Sequence, residues 1–249
     1  MYKFYRLLII IFLIASAVFS YAQTESATDT VNDNVLFERQ WTLGLHLNTN
    51  GWGLKFRKGK NLSFRTQRLW EIEFSTYKAS KEYKIVNQLY SDSKSYVYGK
   101  MNYVYFLRGG MGIQHILNMK PYWGGVQLSY LYYGGVTLGL AKPVYLYIIS
   151  PENTRIERKY NPATDFTDNI YGRGPFLDGI LNSMIYPGIY AKAGLEFEFG
   201  TMNQRIQSLE IGGLLDYEPV GIPIMAYNPP QNLFLTLYLS VSMGKRYNK

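Results

Sequence analysis

Apolar and polar residues alternate along most of the chain after its N-terminal stretch. The pattern is clearest from Leu233 to Met243, where every second residue is Leu, Val or Met and most residues between them are Thr, Tyr or Ser. A period of two residues is the mark of a β-strand, because successive side chains point to opposite faces of a sheet. The pattern therefore predicts an all-β protein.

We predict ten strands whose connections include both tight turns and long loops. They cover residues of about 39–49, 51–59, 64–78, 96–108, 110–118, 121–133, 136–149, 186–199, 204–217 and 232–245. Asn50-Gly51 is a strong hairpin signal, and Gly109-Gly110 and Gly134-Gly135 are also predicted to be turns. An alternative count of eight follows if 51–59 or 110–118 is not a full strand. Even strand numbers, with short turns at one end and long loops at the other, are typical of outer-membrane barrels.

Alternation alone does not say which face of the sheet meets lipid, since a soluble barrel has its apolar face inside. Three features favour an apolar exterior: small residues on the polar face, Tyr and Trp near the strand ends, and an export signal. Lys142, next to Pro143, breaks the apolar phase, and we expect it near the outer interface or at a bulge. We predict a closed antiparallel transmembrane β-barrel, because lipid forbids open sheet edges.

The N-terminus has the features of a secretory signal peptide. Lys3 and Arg6 precede an apolar run at 7–20, and Ala22 ends a small-x-small cleavage site. The run is too short for a membrane-spanning helix, which needs roughly 20 residues. We therefore predict a signal peptide at 1–22, a polar leader at 23–38 and a barrel at 39–249.

Composition excludes several classes of protein. With no Cys, the chain has neither disulfides nor a thiolate metal site. The net charge of +8 falls to +6 once Lys3 and Arg6 are removed, and no nucleic-acid motif accompanies it, so we expect no nucleic-acid partner. The remaining basic residues are expected in loops and at the rim, some of them facing anionic lipid headgroups.

The signal that ends at Ala22-Gln23, the 24 tyrosines and the rhythm of turns and loops resemble the small outer-membrane β-barrels of Bacteroidota. The resemblance covers nearly the whole mature chain and identifies no subfamily. It implies a location in the outer membrane of a Gram-negative cell envelope, with outer-membrane lipids around the barrel.

Charged residues occupy the polar phase of several strands and are predicted to face the lumen. They are Lys55, Arg57, Glu71, Glu73, Arg108, Lys192, Glu196, Glu198, Glu210 and Asp216. Buried ions must pair, and these mixed signs favour an ion network that plugs the lumen. The alternatives are a selectivity lining or a proton path, and acid–base chemistry at the acidic patch of strands eight and nine.

Evidence for catalysis or metal binding in the sequence is weak. His46 is predicted to face inward and His115 outward, both near the loop ends of their strands, so they do not converge. No nucleophile elbow is present. The oxygen-rich segment 161–169 lacks the Gly and terminal Glu of an EF-hand and is interpreted as a turn-rich loop. We predict no enzyme activity, no cofactor and no metal.

Two long loops, 150–185 and 218–232, are too apolar to be ordinary solvated connections, and 176–183 is a candidate short helix. Their predicted partner-docking residues are Phe166, Tyr171, Phe176, Leu177, Ile180, Leu181, Val220, Ile222, Ile224 and Met225. Exposed apolar patches usually mark interaction sites. The expected function is a structural or interaction subunit of an outer-membrane assembly or secretion complex. The alternatives are a narrow channel for small or apolar solutes and a hydrolase or acyltransferase at the barrel rim.

Overall fold

The structure is a computed structural model that describes residues 37–90, 92–119, 125–150, 152, 154–199 and 204–248. The predicted signal peptide and most of the predicted leader lie outside the described residues. In the part described, no helix is long and apolar enough to cross a membrane.

Eight antiparallel strands close into a barrel in the described chain. They are β1 (Arg39–Asn48), β2 (Gly51–Asn61), β3 (Thr66–Tyr77), β6 (Asn102–Asn118), β7 (Gln127–Pro143), β11 (Met184–Phe199), β12 (Arg205–Ile222) and β13 (Gln231–Tyr247). Each pairs with the next in this order, and β1 pairs with β13 to close the sheet. The predicted closed barrel is confirmed with the alternative count of eight strands, and the main count of ten is wrong.

Two glycine pairs account for the difference in strand number. Gly109-Gly110 and Gly134-Gly135, predicted as turns, lie inside β6 and β7, where Gly110 and Gly135 face each other in register. A Cβ on Gly110 would come within 2.5 Å of the Tyr190 hydroxyl, and one on Gly135 within 2.8 Å of the same ring. These two glycines make room for a luminal tyrosine, so each predicted pair of short strands is one long strand.

The register of the strands fixes the tilt of the barrel. From Arg39 the pairing passes through β2, β3, β6, β7, β11 and β12 to Leu237 on β13, whose carbonyl accepts a hydrogen bond from the backbone N–H of Thr49, the residue after β1. One trip around the barrel that starts at residue 39 therefore returns at residue 49, so the shear number is ten. For eight strands this corresponds to a tilt of about 40°, which leaves an interior just wide enough for side chains.

The apolar phase of every barrel strand faces outward, as predicted. Leu45, Ile72 and Leu235 are exposed on the wall, whereas Lys55 and Ser240 are buried inside. Exposed Trp and Tyr side chains also stand on the outer face, at Trp41, Trp52, Trp70, Tyr130, Tyr132 and Tyr217. Such a surface is unfavourable in water and suited to the hydrocarbon of a bilayer.

The two ends of the barrel differ. The turn end holds the start of β1, the end of β13 and the connections that follow β2, β6 and β11. The loop end holds the tight turn that follows β1 and the longer connections that follow β3, β7 and β12, and five short strands lie there. These are β4 (Lys84–Ile85), β5 (Tyr96–Val97), β8 (Tyr145–Ile149), β9 (Arg155–Lys159) and β10 (Ile170–Arg173). β4 and β5 form a hairpin, and β8 lies between β9 and β10 in a small sheet.

The small sheet has its own apolar core, which makes the loop end a folded cap. The core consists of Tyr96, Val144, Leu146, Ile148, Tyr160 and Ile170. Lys100 donates to Glu82 at 2.6 Å across the base of the hairpin, and Asn87, between β4 and β5, donates to the Ile170 carbonyl at 2.7 Å and so joins the hairpin to the cap. Burial lowers the pKa of Lys100, and the Glu82 carboxylate opposes that shift.

Two local predictions about the loops are wrong. Residues 176–183 form turns, not a helix, and Gly179 has a φ of 82° that a helix does not contain. Residues 218–222 continue β12 instead of opening a loop, and Gly221 in this stretch has a φ of 73°. The pairing of β12 with β13 shifts register between Tyr217 and Ile222, so the regular alternation ends there.

Candidate functional site

The barrel lumen contains all ten charged residues that the sequence places there. Neighbouring strands bring the first four together, since Lys55 pairs in register with Glu73 and Arg57 with Glu71. Each of the ten side chains is almost fully buried. Burial of this many charges is tolerable only if each finds a partner.

Arg57 is the centre of the first layer of the network. Its guanidinium nitrogens lie 2.8 Å from Glu71, 3.2 Å from Glu196 and 2.7 Å from Glu210. Lys55 also donates to Glu210, and Tyr238 donates its hydroxyl to the same carboxylate at 2.6 Å. One guanidinium therefore joins carboxylates from β3, β11 and β12 across the lumen.

Lys192 and Arg108 build the second layer. The ammonium of Lys192 lies 2.7 Å from Glu71 and 2.9 Å from Glu73. Arg108 donates to Glu73 at 2.6 Å and donates two hydrogen bonds to the Asp216 carboxylate, at 2.7 and 2.8 Å. Because Glu71 bonds both Arg57 of the first layer and Lys192 of the second, the network is continuous.

The predicted acidic patch is divided in the structure. Glu196 and Glu210 face each other in register and share Arg57, whereas Glu198 bonds Arg246 at 2.5 Å nearer the turn end. Arg246 lies one residue beyond the predicted last strand, so the sequence interpretation missed it. Each of these carboxylates therefore has a cation partner in the lumen.

The two histidines face opposite sides of the wall, as predicted. His46 is buried with Nε2 3.5 Å from Glu73, and His115 stacks outside on Tyr130 with ring centroids 5.0 Å apart. His46 lies near the loop end, but His115 is near the turn end because β6 is one long strand, which corrects the expectation for His115. The histidines therefore do not share a site.

Above the ion network, towards the loop end, an apolar plug fills the lumen. It consists of the side chains Val104, Phe106, Ala141, Ile222, Ile224 and Phe234, with Tyr77 packed against them. Phe106 and Phe234 meet edge to face at 5.1 Å. Ile222 and Ile224, predicted to dock a partner, are 0% and 5% exposed, so their predicted availability is wrong. The reason is that β12 runs on to Ile222 and turns both residues inward.

Glu218 lies against this plug and was not identified from the sequence. It is 0% exposed, and neither carboxylate oxygen has a hydrogen-bond partner among the described residues. Gly139 and Gly188 make room for it, since a Cβ on Gly139 would lie 3.5 Å from one oxygen and a Cβ on Gly188 would clash with the other. The sequence assigned Glu218 to the start of a loop, so its burial gave no signal.

The loop end presents the other predicted docking residues. Phe166, Phe176, Ile180 and Val220 are exposed, and Leu177 and Leu181 are 72% and 99% exposed. Tyr171 and Met225 are half-buried, and the Tyr171 ring lies 4.3 Å below the guanidinium carbon of Arg155. We call Phe176, Leu177, Ile180 and Leu181 the apolar loop patch.

The segment that carries the apolar loop patch is fixed to the barrel. Lys142 donates to the carbonyl of Phe176 and lies 3.9 Å from the centre of its ring, which explains a lysine in the outward phase of β7. Asn182 donates to the Tyr145 hydroxyl at 2.9 Å. Gly179 packs on Tyr145 so closely that a Cβ would lie 2.7 Å from the ring. The leucines of the patch are therefore displayed by an anchored turn.

The oxygen-rich segment 161–169 is held by its own side chains. The Asp165 carboxylate accepts from Arg158 and from the backbone N–H of Asn161, the latter at 2.8 Å. No group of three or more His, Asp or Glu side chains in the described residues is placed to hold a metal ion. The segment is therefore a self-bonded turn.

Together, the closed sheet, the outward apolar wall, the ion-paired lumen and the longer loops at one end define an outer-membrane-type β-barrel. The localisation this fold indicates is the outer membrane.

No family model matches the chain, and a search of curated proteins gives no match. Among solved structures, the chain is similar to Ail, the attachment invasion locus protein of Yersinia pestis. The identity is 10% and the TM-score 0.42, over 86% of this chain and all of Ail. Neisserial surface protein A is similar at 8% identity and a TM-score of 0.42, over 85% of this chain and 97% of that protein. Likeness at this level carries no argument about function.

Proposed function

We propose that the protein is a non-enzymatic outer-membrane β-barrel that docks a protein partner through the apolar loop patch, as a subunit of an outer-membrane assembly or secretion complex. The observation that carries the proposal is the high exposure of Leu177 and Leu181 at the loop end, 72% and 99%. Two leucines displayed beside Phe176 and Ile180 on an anchored turn are unfavourable in water unless something covers them.

The lumen supports an interaction role over transport. Ion pairs fill its middle and the apolar plug fills its upper part, so side chains occupy the path a solute would take. The separation of His46 from His115 likewise supports a role without catalysis. The cap, with its own core, is the part of the chain that offers a surface of defined shape.

A photo-crosslinking residue at Leu181 tests the proposal in intact outer membranes. We expect a crosslink to one protein of defined mass, identified by mass spectrometry. The matched control is the same residue at Leu237, which is also exposed but lies in the middle of β13 on the apolar wall. Leu237 is expected to give lipid adducts only, and lipid adducts alone at both positions would overturn the proposal.

A second experiment tests the energetic role of the patch. The double variant Leu177→Ser, Leu181→Ser removes two apolar side chains that make no luminal contact, so the barrel is expected to fold normally. Co-purification of the crosslinked partner in mild detergent should fall by a factor of about ten or more, since each buried Leu stabilises an interface by roughly 1.5–3 kcal/mol. Unchanged co-purification would mean that this patch does not hold the partner.

A further inference from the structure

A groove of about 760 Å³ lies on the outer wall where β1 and β13 close the barrel. The side chains along it are Trp41, Leu43, Leu45, Leu54, Val241 and Met243, all of the outward phase. In a bilayer this groove opens to the hydrocarbon, so an acyl chain is its natural occupant.

The turn end of the groove is polar and basic. Gln204, Arg205 and Lys245 line it there, and Arg205 pairs in register with Lys245. The backbone N–H of Arg246 donates to the carbonyl of Gln204 at 2.8 Å, which fixes the start of β12 beside the end of β13. Two neighbouring strands thereby hold the two cations side by side.

Arg205 and Lys245 are exposed, and neither forms an ion pair with any described residue. Lys245 also faces Trp41 across the β1–β13 pairing. A tryptophan beside exposed cations is the usual composition of the level where hydrocarbon meets headgroups. The cations are therefore placed at headgroup depth, directly below the apolar groove.

We propose that this groove binds an anionic phospholipid of the leaflet at the turn end. Its acyl chain lies along Leu43, Leu45 and Met243, and its phosphate bonds Arg205 and Lys245. An arginine can offer a phosphate two parallel N–H donors, and a lysine adds a point charge. Short turns of outer-membrane barrels face the periplasm, so the lipid belongs to the inner leaflet. The site is independent of the partner docking at the loop end.

Native mass spectrometry of the detergent-purified barrel tests the proposal with two probes that differ only in headgroup charge. These are dimyristoylphosphatidylglycerol, which is anionic, and dimyristoylphosphatidylcholine, which is zwitterionic. The wild-type chain is expected to bind the anionic lipid more tightly. The double variant Arg205→Gln, Lys245→Gln should lose roughly thirtyfold in affinity for it, the loss expected for two basic residues near an anionic surface.

The chain offers a matched control at the same end of the barrel. Lys60 and Arg68 also pair in register on neighbouring strands and are exposed on the outer wall, but they do not line the groove. The double variant Lys60→Gln, Arg68→Gln removes the same charge and should change the affinity for the anionic lipid less than threefold. Equal losses of affinity in the two double variants would mean that any basic residues at the rim attract the lipid, and would overturn the site. Equal affinity of the wild type for both lipids would overturn it as well.

A third variant tests the acyl-chain part of the groove. Leu43→Trp places a larger apolar side chain in the groove without changing charge, on a strand position that is already exposed. It should weaken both lipids by a similar factor and leave their ratio unchanged. Unaltered binding of both lipids would contradict an acyl chain seated there.

Discussion

At the scale of single residues, the direction of each luminal side chain could be predicted but its partners could not. Alternation places Lys55, Arg57 and the strand-three glutamates inside, and adjacent strands make them neighbours. The contact of Arg57 with Glu196 depends on the register of the whole barrel, because the two residues lie 139 positions apart. Glu218 was missed since its burial depends on glycines of two other strands.

Glu71 joins the two layers of the ion network, so its loss should destabilise the barrel strongly. It accepts from Arg57 and from Lys192, so Glu71→Ala leaves two buried cations short of a partner. We expect a loss of about 3–5 kcal/mol in the free energy of unfolding, the usual cost of breaking a buried pair. Urea unfolding in lipid vesicles measures it, with Glu157→Ala, an exposed carboxylate of β9, as the control. An unchanged unfolding midpoint would contradict the role of the network.

Glu218 should respond in the opposite sense. Its carboxylate is buried without a hydrogen-bond partner among the described residues, so Glu218→Met removes a desolvation cost at nearly constant volume. The free energy of unfolding should rise by about 1–3 kcal/mol. Glu210→Met is the contrasting variant, because Glu210 bonds Lys55, Arg57 and Tyr238 and its loss should destabilise. A barrel weakened equally by both variants would show that Glu218 has a stabilising partner.

At the scale of elements, strand identity was predictable and strand length was not. Local rules assign Gly109-Gly110 and Gly134-Gly135 to turns, because glycine pairs usually occur there. The structure uses Gly110 and Gly135 for close contact with Tyr190, while Gly109 and Gly134 have nothing near their outward side. A glycine pair in the sequence therefore does not distinguish a turn from a place where a narrow lumen needs space.

The two neighbouring glycines of β7 give a direct test. A Cβ on Gly135 would lie 2.5 Å from the Cα of Gly110 and 2.8 Å from the Tyr190 ring, whereas one on Gly134 would meet nothing within 4 Å. Gly135→Ala should lower the free energy of unfolding by about 1–3 kcal/mol through overpacking. Gly134→Ala should leave it unchanged or slightly raise it. Urea unfolding of both variants in lipid vesicles measures the difference. Equal unfolding midpoints would contradict the close luminal contact of Gly135 and favour the turn hypothesis.

At the scale of the whole molecule, closed topology, outward apolar wall and mixed luminal charges were all predictable from period two. The cap was not, because its core joins Tyr96, before β6, to Val144 and Ile170, after β7. Contacts between distant loops leave no periodic pattern. The exposed apolar residues of the loop end could therefore be assigned to the long loops, but the burial of Ile222 and Ile224 could not be foreseen.

Because side chains occupy the lumen, we expect the protein not to conduct ions. The apolar plug and the ion-paired layers each fill the section of the barrel, so planar bilayers that contain the wild-type chain should show no single-channel steps. Phe234→Ala should also be silent, because Arg57, Lys192 and their carboxylates still occupy the middle of the lumen. Regular conductance steps in the wild type would revive the channel alternative.

The pairing of β1 with β13 has a consequence for the order in which the barrel assembles. Every other barrel pairing joins barrel strands that follow one another along the chain, whereas at this seam Glu38 meets Asn248 across 210 positions. The entropy lost in closing a chain segment grows with its length, so hairpins zip first and the seam forms last. The proposed phospholipid groove lies on that seam, so its lipid would bind only after β1 and β13 have paired and closed the barrel.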